Sequence, residues 1–561
     1  MYTPDLAPLA DSLTLSSLVA ILPLLTIFLT LGALRWKAHW AGLTALGVAI
    51  LVAVLVYQMP VGLVGLSATQ GFTFGLFPIM WIVLNAIWLY ELTVRAGRFE
   101  DLRAVIDAIS DDPRVQAIII AFCFGGLLEA LAGFGAPVAI TGVMLMAIGF
   151  TAMRAATVVL IANTAPVAFG AIAIPIITAG NLTGIDYQHI GAIVGHQTPF
   201  LAALVPLFLI FLVDGRRGLR QLWPLALVVG VVFAVSQYVS SNFLSVELTD
   251  IVASLMGLAA AVLMLQVWKP VGGHDALENM THEREREQAE DPDPSAAGGA
   301  LATATRTQVQ LTPGKVFMAL FPYLLVILIF SASKLVPPLT AWLASTDVKI
   351  HWPGLDGNVT NAAGEVTSST VYTFQWLSSP GTLLLLTGVI VAIVYRMKIA
   401  DAVDVYVTNL VKMRWSILTV ASVLALAYVM NQSGQTITIG TWIAGTGAAF
   451  AFLSPILGWL GTAVTGSDTS ANALFATLQQ TAAEEAGLDP ALLVAANTSG
   501  GVVGKMISPQ NLTIAATAVG LVGKESLIFR KVIWWSLGML VALCLLVGLQ
   551  SSVLSWMIPV Q

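Results

Sequence analysis

The feature that most constrains this chain is a pair of similar interruptions in its apolar sequence. In the first, residues 133–135 (Gly-Phe-Gly) break an apolar run, and an Asn-Thr pair at 163–164 breaks the next run. In the second, the polar stretch 466–470 breaks a run, and an Asn-Thr pair at 497–498 breaks the following one. A helix that stops inside a bilayer leaves backbone groups without partners. We therefore expect the four breaks to form a binding site halfway across a membrane.

Composition and the length of the apolar runs predict an all-α polytopic membrane protein. Hydrophobic residues make up 57% of the 561 residues and charged residues only 10%, whereas soluble domains carry about 25% charged residues. Apolar runs of roughly 18 residues, long enough to cross a hydrocarbon core of about 30 Å, recur along the whole chain. About 12 transmembrane helices are expected near 15–34, 41–58, 72–93, 155–180, 190–213, 222–240, 250–268, 314–333, 379–395, 415–431, 490–520 and 532–556.

Two further apolar segments, about 115–150 and 450–480, are broken at Gly133 and Gly466 and are predicted to be re-entrant hairpins. Lys and Arg in short loops mark the cytoplasmic side of a membrane protein. They cluster after the first, third, fifth and seventh spans, between the ninth and tenth, and before the last. All these clusters fall in the cytoplasm if both hairpins return to the side from which they entered, which supports the hairpins and places both termini outside.

Composition also divides the chain into scaffold and transport parts. Residues 270–312 combine a charged run with an Ala/Gly/Thr run that cannot bury a core, so we predict a disordered cytoplasmic linker. Residues 335–375 are expected to form a long external loop. The other parts are first scaffold helices (1–114), a first transport repeat (115–213), connecting helices (214–269), second scaffold helices (313–449) and a second transport repeat (450–561).

The two halves of the chain resemble each other as an inverted repeat. An offset of 333 residues places Gly133 on Gly466, and an offset of 334 places Asn163 on Asn497. The third span, predicted to run inward, then corresponds to the tenth, predicted to run outward. Inverted repeats are common in secondary transporters, whose binding sites lie near the bilayer midplane on discontinuous helices.

The breaks contain the residues expected to bind a substrate. Free N–H groups at a helix end suit a carboxylate, Asn and Thr side chains cap such ends or donate to a ligand, and glycine lets backbone approach closely. The alternative is that Asn and Thr only bridge helices, but their recurrence at matched places favours a site. The substrate-binding residues predicted from the breaks are Gly133, Phe134, Gly135, Asn163, Thr164, Gly466, Ser467, Thr469, Ser470, Asn497 and Thr498.

Three charged residues lie near the breaks within apolar sequence. Intramembrane carboxyl groups are costly and are functional candidates by default, so Glu129 and Asp468 are the candidates for proton coupling. The alternatives are bracing of a hairpin for Glu129 and helix capping for Asp468. Lys505 is a further substrate-binding candidate, which would pair with a substrate carboxylate, with Glu129 or with Asp468; its alternative is snorkelling to an interface.

Other functional classes find little support in the sequence. The net charge of −6 provides no basic surface for nucleic acid. Cys123 and Cys544 both lie in apolar runs and the six histidines form no metal-spaced pair, so no disulfide, metal or cofactor is expected. An enzyme would need a nucleophile–base or metal constellation, and none is recognisable. Two paired, closed hairpins argue against a channel.

At these breaks the sequence resembles the bacterial L-lactate permease family. The matching stretches are 122–129 (FCFGGLLE), 133–140 (GFGAPVAI), 163–170 (NTAPVAFG), 458–461 (GWLG), 466–470 (GSDTS), 495–498 (AANT) and 504–510 (GKMISPQ). These motifs are long enough to be specific, and the resemblance runs nearly end to end. The sequence departs from the family pattern mainly in the segments 270–312 and 335–375.

The resemblance implies uptake of L-lactate, and also of D-lactate and glycolate, by proton symport across the bacterial inner membrane. A wider resemblance to an ion transporter superfamily implies inverted repeats, two hairpins, Asn-Thr motifs at the site, an elevator-type motion and a homodimer; this is an analogy of fold. The alternative is a sodium-coupled carrier of another small carboxylate, because Asn and Thr oxygens also ligate sodium. Such a carrier would show sodium-dependent uptake that ignores a pH gradient.

Overall fold

The computed structural model describes residues 1–34, 36–107, 109–131, 133, 135–290, 312–360, 368–521 and 523–559, and within them the chain is almost entirely helical. Two short strands, Val348–His351 and Val371–Phe374, pair antiparallel with Val348 opposite Phe374. Ten helical segments of the described residues are long and apolar enough to cross a membrane: Leu13–Leu31, Ala38–Leu55, Val61–Arg95, Pro113–Leu131, Thr198–Leu244, Thr249–Val267, Pro313–Ser333, Ile399–Ser433, Gly447–Thr465 and Glu525–Gln550. A polytopic helical membrane protein is thereby confirmed.

Shorter helices connect and complete these segments. Further helices of eight residues or more in the described part of the chain are Arg98–Asp107, Ala136–Ala147, Ala152–Ala162, Gly170–Thr183, Tyr187–Val194, Gly273–Glu290, Pro337–Ser345, Pro380–Val394, Gln435–Ala444, Asp468–Ala486, Pro490–Gly504 and Pro509–Ala518.

The helical segment Val61–Arg95, which is interrupted at the non-helical residue Phe77, packs against the 35-residue helix Ile399–Ser433 along its length. A Cβ atom on Gly71 would lie 2.5 Å from the carbonyl oxygen of Leu424, and one on Gly75 would lie 2.6 Å from the Cα of Ala421. The contacted residue number falls as the glycine number rises, so the two helices run antiparallel. Small residues at such a crossing let the two backbones touch.

Both predicted hairpins are antiparallel helix pairs. The first hairpin consists of Pro113–Leu131 and Ala136–Ala147, and the second of Gly447–Thr465 and Asp468–Ala486. In the first, a Cβ on Gly125 would lie 3.5 Å from Cγ2 of Thr141; in the second, a Cβ on Gly461 would lie 2.9 Å from Cβ of Ala471. The two arms of each hairpin are therefore in contact with each other.

The elements that follow each hairpin come in the same order. A helix comes first, then an interruption, a second helix and, later in the chain, a longer helical segment. After the first hairpin these are Ala152–Ala162, Gly170–Thr183 and, beyond the short helix Tyr187–Val194, the segment that begins at Thr198; after the second they are Pro490–Gly504, Pro509–Ala518 and Glu525–Gln550.

The predicted spans 190–213 and 222–240 lie on either side of an interruption in the helical segment Thr198–Val239. Asp214 and Gly215 are its non-helical residues, and Gly215 has a φ of 59°. The fully buried guanidinium of Arg114 donates to Oδ2 of Asp214 at 2.9 Å. A Cβ on Gly230 would meet the carbonyl oxygen of Ala203, so the two parts of the segment pack side by side. The chain therefore turns back near Asp214 and Gly215, as expected for two spans.

Part of the predicted disordered linker is helical. Gly273–Glu290 forms a helix whose Ala276 and Met280 are buried, one turn apart on the same face. This prediction was wrong for 273–290, because the segment docks an apolar face that its charged composition concealed; residues 291–311 lie outside the described part. The predicted external loop likewise contains the helix Pro337–Ser345 and the two strands.

Candidate functional site

The turns of both hairpins depend on glycine. Gly133 has a φ of 50°, Gly135 of 86° and Gly466 of 77°. This left-handed region is disfavoured for residues with a Cβ and open to glycine. The predicted hairpin tips are therefore confirmed as turns at these positions, while Phe134 lies outside the described residues.

The tip of the second hairpin begins a helix with a serine cap. Ser467 is the N-cap of Asp468–Ala486, and its hydroxyl accepts a hydrogen bond from the backbone N–H of Ser470 at 3.3 Å. Asp468, Thr469 and Ser470 form the first turn and are all buried. Since Ser467 is the cap, the alternative role of Asp468 as the capping residue is wrong.

The first break is a strained segment. Asn163 ends the helix Ala152–Ala162, as predicted, and regular helix resumes only after Ala171, Ile172 and Ala173, which have φ values of 46°, 60° and 56°. Each left-handed L-residue costs roughly 1–2 kcal/mol. Packing must therefore hold this backbone in place, and the strain marks the break as a candidate functional element.

The backbone of the first break is held by two buried amides from other helices. The Gln237 side chain donates to the carbonyl of Ala165 at 3.0 Å, and the Asn472 side chain donates to the carbonyl of Pro175 at 3.1 Å. Thr164 is occupied within its own turn, donating to the carbonyl of Ile161 at 2.6 Å. The bonds from Gln237 and Asn472 tie the backbone in and just after the break to neighbouring helices.

The second break does not lie where the sequence predicted it. Asn497 and Thr498 are inside the continuous helix Pro490–Gly504. Their side chains bond across to the second hairpin: Asn497 Nδ2 donates to Oδ1 of Asn472 at 2.8 Å, and Thr498 Oγ1 lies 2.9 Å from Nδ2 of Asn472. Because these side chains find partners on another helix, they do not compete for their own backbone.

The interruption in the second half comes instead at residues 505–508. A short 3-10 turn, Lys505–Ile507, is followed by Ser508, which caps the helix Pro509–Ala518. Pro509 has no N–H and is suited to the first position of a new helix. Lys505 consequently lies at a break in the second repeat.

The two halves meet in a buried ion pair. Nζ of Lys505 lies 2.5 Å from Oε1 of Glu129, and Nδ2 of Asn163 donates to Oε2 of Glu129 at 2.9 Å. A Cβ on Gly170 would lie 3.0 Å from Oε1 of Glu129, so the carboxyl packs closely against this glycine. Of the two side chains predicted as partners of Lys505, Glu129 and Asp468, Glu129 is the one that forms the ion pair.

Asp468 is the least satisfied charged group at the site. It is 4% exposed. Its Oδ1 accepts a long hydrogen bond of 3.4 Å from the hydroxyl of Thr462, and its Oδ2 has no hydrogen-bond partner among the residues that the structure describes. A Cβ on Gly501 would lie 1.9 Å from Oδ1 of Asp468, so the carboxyl packs directly on the helix Pro490–Gly504.

A cavity of about 1470 Å³ brings the charged residues and the second tip together. The predicted site residues that line it are Glu129, Gly133, Gly466, Ser467, Asp468, Thr469, Ser470 and Lys505. Among the described residues, Gly135, Asn163, Thr164, Asn497 and Thr498 do not line it. Asn163 nevertheless acts on the cavity through its bond to Glu129, whereas Asn497 and Thr498 hold the second hairpin against the helix behind it.

Sequence reasoning missed the residues that support this site. Asn472 bonds Thr498, Asn497 and the first break, and Gln479 donates to Oδ1 of Asn497 at 3.3 Å. Asn472 and Gln479 are seven residues apart, hence on one face of the hairpin helix. Two buried amides at helical spacing in an apolar hairpin are the signal that would have found them.

The fold and the cavity define the class: many membrane-spanning helices surround a large cavity with opposed buried charges, as in a membrane transporter. A family model described as "L-lactate permease" matches residues 16–554. The chain therefore belongs to the L-lactate permease family, and it is a multi-pass protein of the bacterial plasma membrane.

Relatives of known name cover nearly the whole chain. The L-lactate permease of Bacillus subtilis (strain 168) is 42% identical over 581 aligned residues that cover 100% of both chains. The glycolate permease GlcA of Escherichia coli (strain K12) is 41% identical, covering 96% of this chain and 95% of its own. The solved structure of the Alcanivorax borkumensis YdaH transporter aligns with 98% of this chain and 99% of its own, at 15% identity and a TM-score of 0.36. The family assignment does not depend on this last similarity.

Proposed function

We propose that this protein takes up L-lactate, D-lactate and glycolate by symport with a proton. Membership of the L-lactate permease family and relatives named for L-lactate and glycolate support the substrate class. The observation that carries the coupling is the buried ion pair between Glu129 and Lys505 at the cavity.

The ion pair couples the proton to the substrate by competition for one cation. While Glu129 is ionised, it neutralises Lys505, and a second carboxylate entering the site would be an uncompensated buried charge. Protonation of Glu129 releases the Lys505 ammonium, which then pairs with the carboxylate of the substrate. The proton and the anion therefore enter together, and the loaded site carries the same net charge as the empty one.

The tip of the second hairpin completes the binding site. Thr469 and Ser470 lie in the first turn of Asp468–Ala486 and line the cavity. Their hydroxyls and the free N–H groups of that turn are donors that suit a carboxylate next to Lys505. Gly133 and Gly466 keep both tips small enough for the substrate to approach the backbone.

The rim of the cavity supports an inward-open conformation. Lys37, Trp415 and Glu525 line it, and they lie in or beside the loops that the positive-inside rule assigns to the cytoplasm. The cavity is bounded on one side by Ala38–Leu55 and Ile399–Ser433 and on the other by the second hairpin and Pro509–Ala518. This boundary between scaffold and hairpin elements favours an elevator-type transporter with two re-entrant hairpins in an inverted repeat.

Uptake into proteoliposomes tests the function. Proteoliposomes that contain the purified protein, with labelled L-lactate outside, should accumulate the label when their interior is more alkaline than the medium. Unlabelled glycolate or D-lactate should compete with this uptake. A sodium gradient with equal pH on both sides of the membrane should drive no accumulation of L-lactate. Accumulation that follows the sodium gradient and ignores the pH gradient would overturn proton symport in favour of a sodium-coupled carrier.

A further inference from the structure

One carboxyl group bonds to both interrupted helices of the site. Oε1 of Glu129 pairs with Nζ of Lys505 at the break in the second repeat, and Oε2 accepts a hydrogen bond of 2.9 Å from Nδ2 of Asn163 at the first break. All three side chains are buried. A change in the charge of Glu129 therefore acts on both breaks at once.

The two partners of Glu129 differ in how they can respond to a proton. The ammonium of Lys505 has only donors, so a proton on Oε1 would bring two donors face to face. The amide of Asn163 has a donor, Nδ2, and an acceptor, Oδ1, and Oδ1 accepts no hydrogen bond from the described residues. Rotation of the amide by about half a turn presents Oδ1 in place of Nδ2. Of the two partners, only Asn163 can bond both the ionised and the protonated form of Glu129.

We propose that Asn163 is a positioning residue for the proton: Nδ2 holds Oε2 of Glu129 while the carboxylate is ionised, and Oδ1 accepts the O–H of Oε2 once the proton has arrived. The step adds one proton to Oε2, breaks the bond from Nδ2 and forms one to Oδ1. Oε1 then faces Lys505 without a charge, so the ammonium becomes available to the substrate carboxylate.

This inference rests on the proposed function and gives Asn163 a different role from the one predicted by the sequence. Asn163 was expected to bind the substrate, but it does not line the cavity. It reaches the cavity through Glu129, which does line it. The first Asn-Thr pair therefore serves the proton, through its asparagine, and not the substrate directly.

Other charged groups near Glu129 form the background to this bond. Asp250 of Thr249–Val267 interacts electrostatically with Glu129, and Asp468 interacts with Lys505. The helices Gly170–Thr183 and Ala136–Ala147, which also pack against the helix of Glu129, contain no acidic or basic side chain. The remaining acidic and basic side chains on elements packed against it lie toward helix ends and are Glu91, Arg95, Arg114 and Arg154. The hydrogen bonds that the structure gives Glu129 come from Lys505 and Asn163.

The proposal predicts a direction for the pH dependence of transport. A hydrogen bond to a charged acceptor is roughly twice as strong as one between neutral groups. Loss of the Asn163 amide therefore costs more while Glu129 is ionised than while it is protonated. In Asn163→Leu, the pH at which lactate exchange falls to half its maximum should rise by about one unit.

Counterflow at a series of pH values tests this. Labelled L-lactate is exchanged across proteoliposomes with the same pH on both sides, for the wild type and for Asn163→Leu. Thr157→Val is the matched control, because Thr157 is a buried residue of the same helix whose hydroxyl donates only to the carbonyl of Met153. Its half-maximal pH should equal that of the wild type. In a Glu129→Gln background, Asn163→Leu should leave the pH profile unchanged, because the carboxyl that takes up the proton is gone.

A merely structural role or a direct contact with the substrate gives a different result. Either would lower the rate or the affinity of Asn163→Leu at every pH and leave the half-maximal pH in place, and that outcome would overturn the proposal. An equal shift in Thr157→Val would overturn it as well. Absence of lactate exchange in the wild type would contradict the proposed function together with this inference.

A spectroscopic measurement covers an Asn163→Leu variant that does not fold. Asparagine labelled in its side-chain carbonyl is incorporated into the wild type and into Glu129→Gln, and infrared difference spectra are taken with and without L-lactate. The wild type should show a carboxylic-acid band together with a shift of the labelled amide band, and Glu129→Gln should show neither. A carboxylic-acid band without a shift of the amide band would show that Asn163 does not follow the proton.

Discussion

Glu129 and Lys505 are 376 residues apart in the chain and meet as a buried ion pair, with 2.5 Å between Oε1 and Nζ. One partner comes from the first arm of the first hairpin and the other from the break in the second repeat. The pair therefore joins the two halves of the protein at the cavity, and four predictions follow from it and from its surroundings.

Glu129→Gln should separate exchange from accumulation. Glutamine resembles the protonated acid and leaves Lys505 free for the substrate, so counterflow of L-lactate should persist. Accumulation driven by a pH gradient of one unit, about tenfold for symport of one proton, should disappear. Glu247→Gln is the control, since that buried carboxyl is bonded by hydroxyls of Tyr187 and Ser245 outside the cavity. Retained pH-driven accumulation in Glu129→Gln would exclude Glu129 as the proton carrier.

Lys505→Met should weaken substrate binding and destabilise the fold. Removing one partner of a buried ion pair typically costs about 3–5 kcal/mol, because the other charge stays buried and unpaired. Glu129→Gln in the same chain should restore much of that stability without restoring transport. Thermal unfolding of the single and double variants in detergent measures this. Equal stability of Lys505→Met and the double variant would show that the two side chains are not coupled.

Gly501→Ala should abolish transport while a distant glycine tolerates the same change. The new methyl would lie 1.9 Å from Oδ1 of Asp468, so the carboxyl or the helix must move, at a cost of about 1–3 kcal/mol. Gly538 also lies inside a helix, Glu525–Gln550, but has nothing within 4 Å of its Cβ position. Gly538→Ala should be neutral or up to about 1 kcal/mol stabilising. Lactate exchange in both variants, compared at equal protein, provides the measurement.

Asp250 should act mainly as a hydrogen-bond acceptor for Gln237. It is fully buried, accepts one hydrogen bond from Gln237 at 2.8 Å, and has no ion-pair partner among the described residues. Gln237 also holds the first break through Ala165. Asp250→Asn keeps an acceptor for Gln237 and should retain lactate exchange and thermal stability. Asp250→Leu removes it and should lose about 1–3 kcal/mol; a variant Asp250→Asn that is less stable than Asp250→Leu would show that the negative charge is required.

Much of the architecture could be predicted from local chemistry. The lengths of the apolar runs predicted most membrane-spanning helices, and the glycines at 133 and 466 predicted the hairpin turns, because only glycine adopts those φ values readily. Asn163 was placed correctly at the end of a helix. These features depend on residues close together in the chain.

The errors arose where a distant partner decides the outcome. Asn497 and Thr498 were expected to break a helix like their counterparts, but Asn472 on the second hairpin satisfies them and the helix continues. Asp468 was considered as the N-cap of the hairpin helix, but Ser467, one residue earlier, is the cap. The helix Gly273–Glu290 forms where composition predicted disorder, with Met280 buried.

The sequence by itself determined that the chain crosses a membrane many times, turns at two glycine-containing tips and places three costly charges near them. Hydropathy and backbone sterics act over a few residues, so they can be assessed along the chain. Tertiary structure alone decided which charges meet: Lys505 pairs with Glu129, while Oδ2 of Asp468 finds no hydrogen-bond partner in the described part of the chain. That choice depends on distances between helices from opposite halves of the chain, and in a low-dielectric interior those distances decide which charge is neutralised and which can bind a ligand.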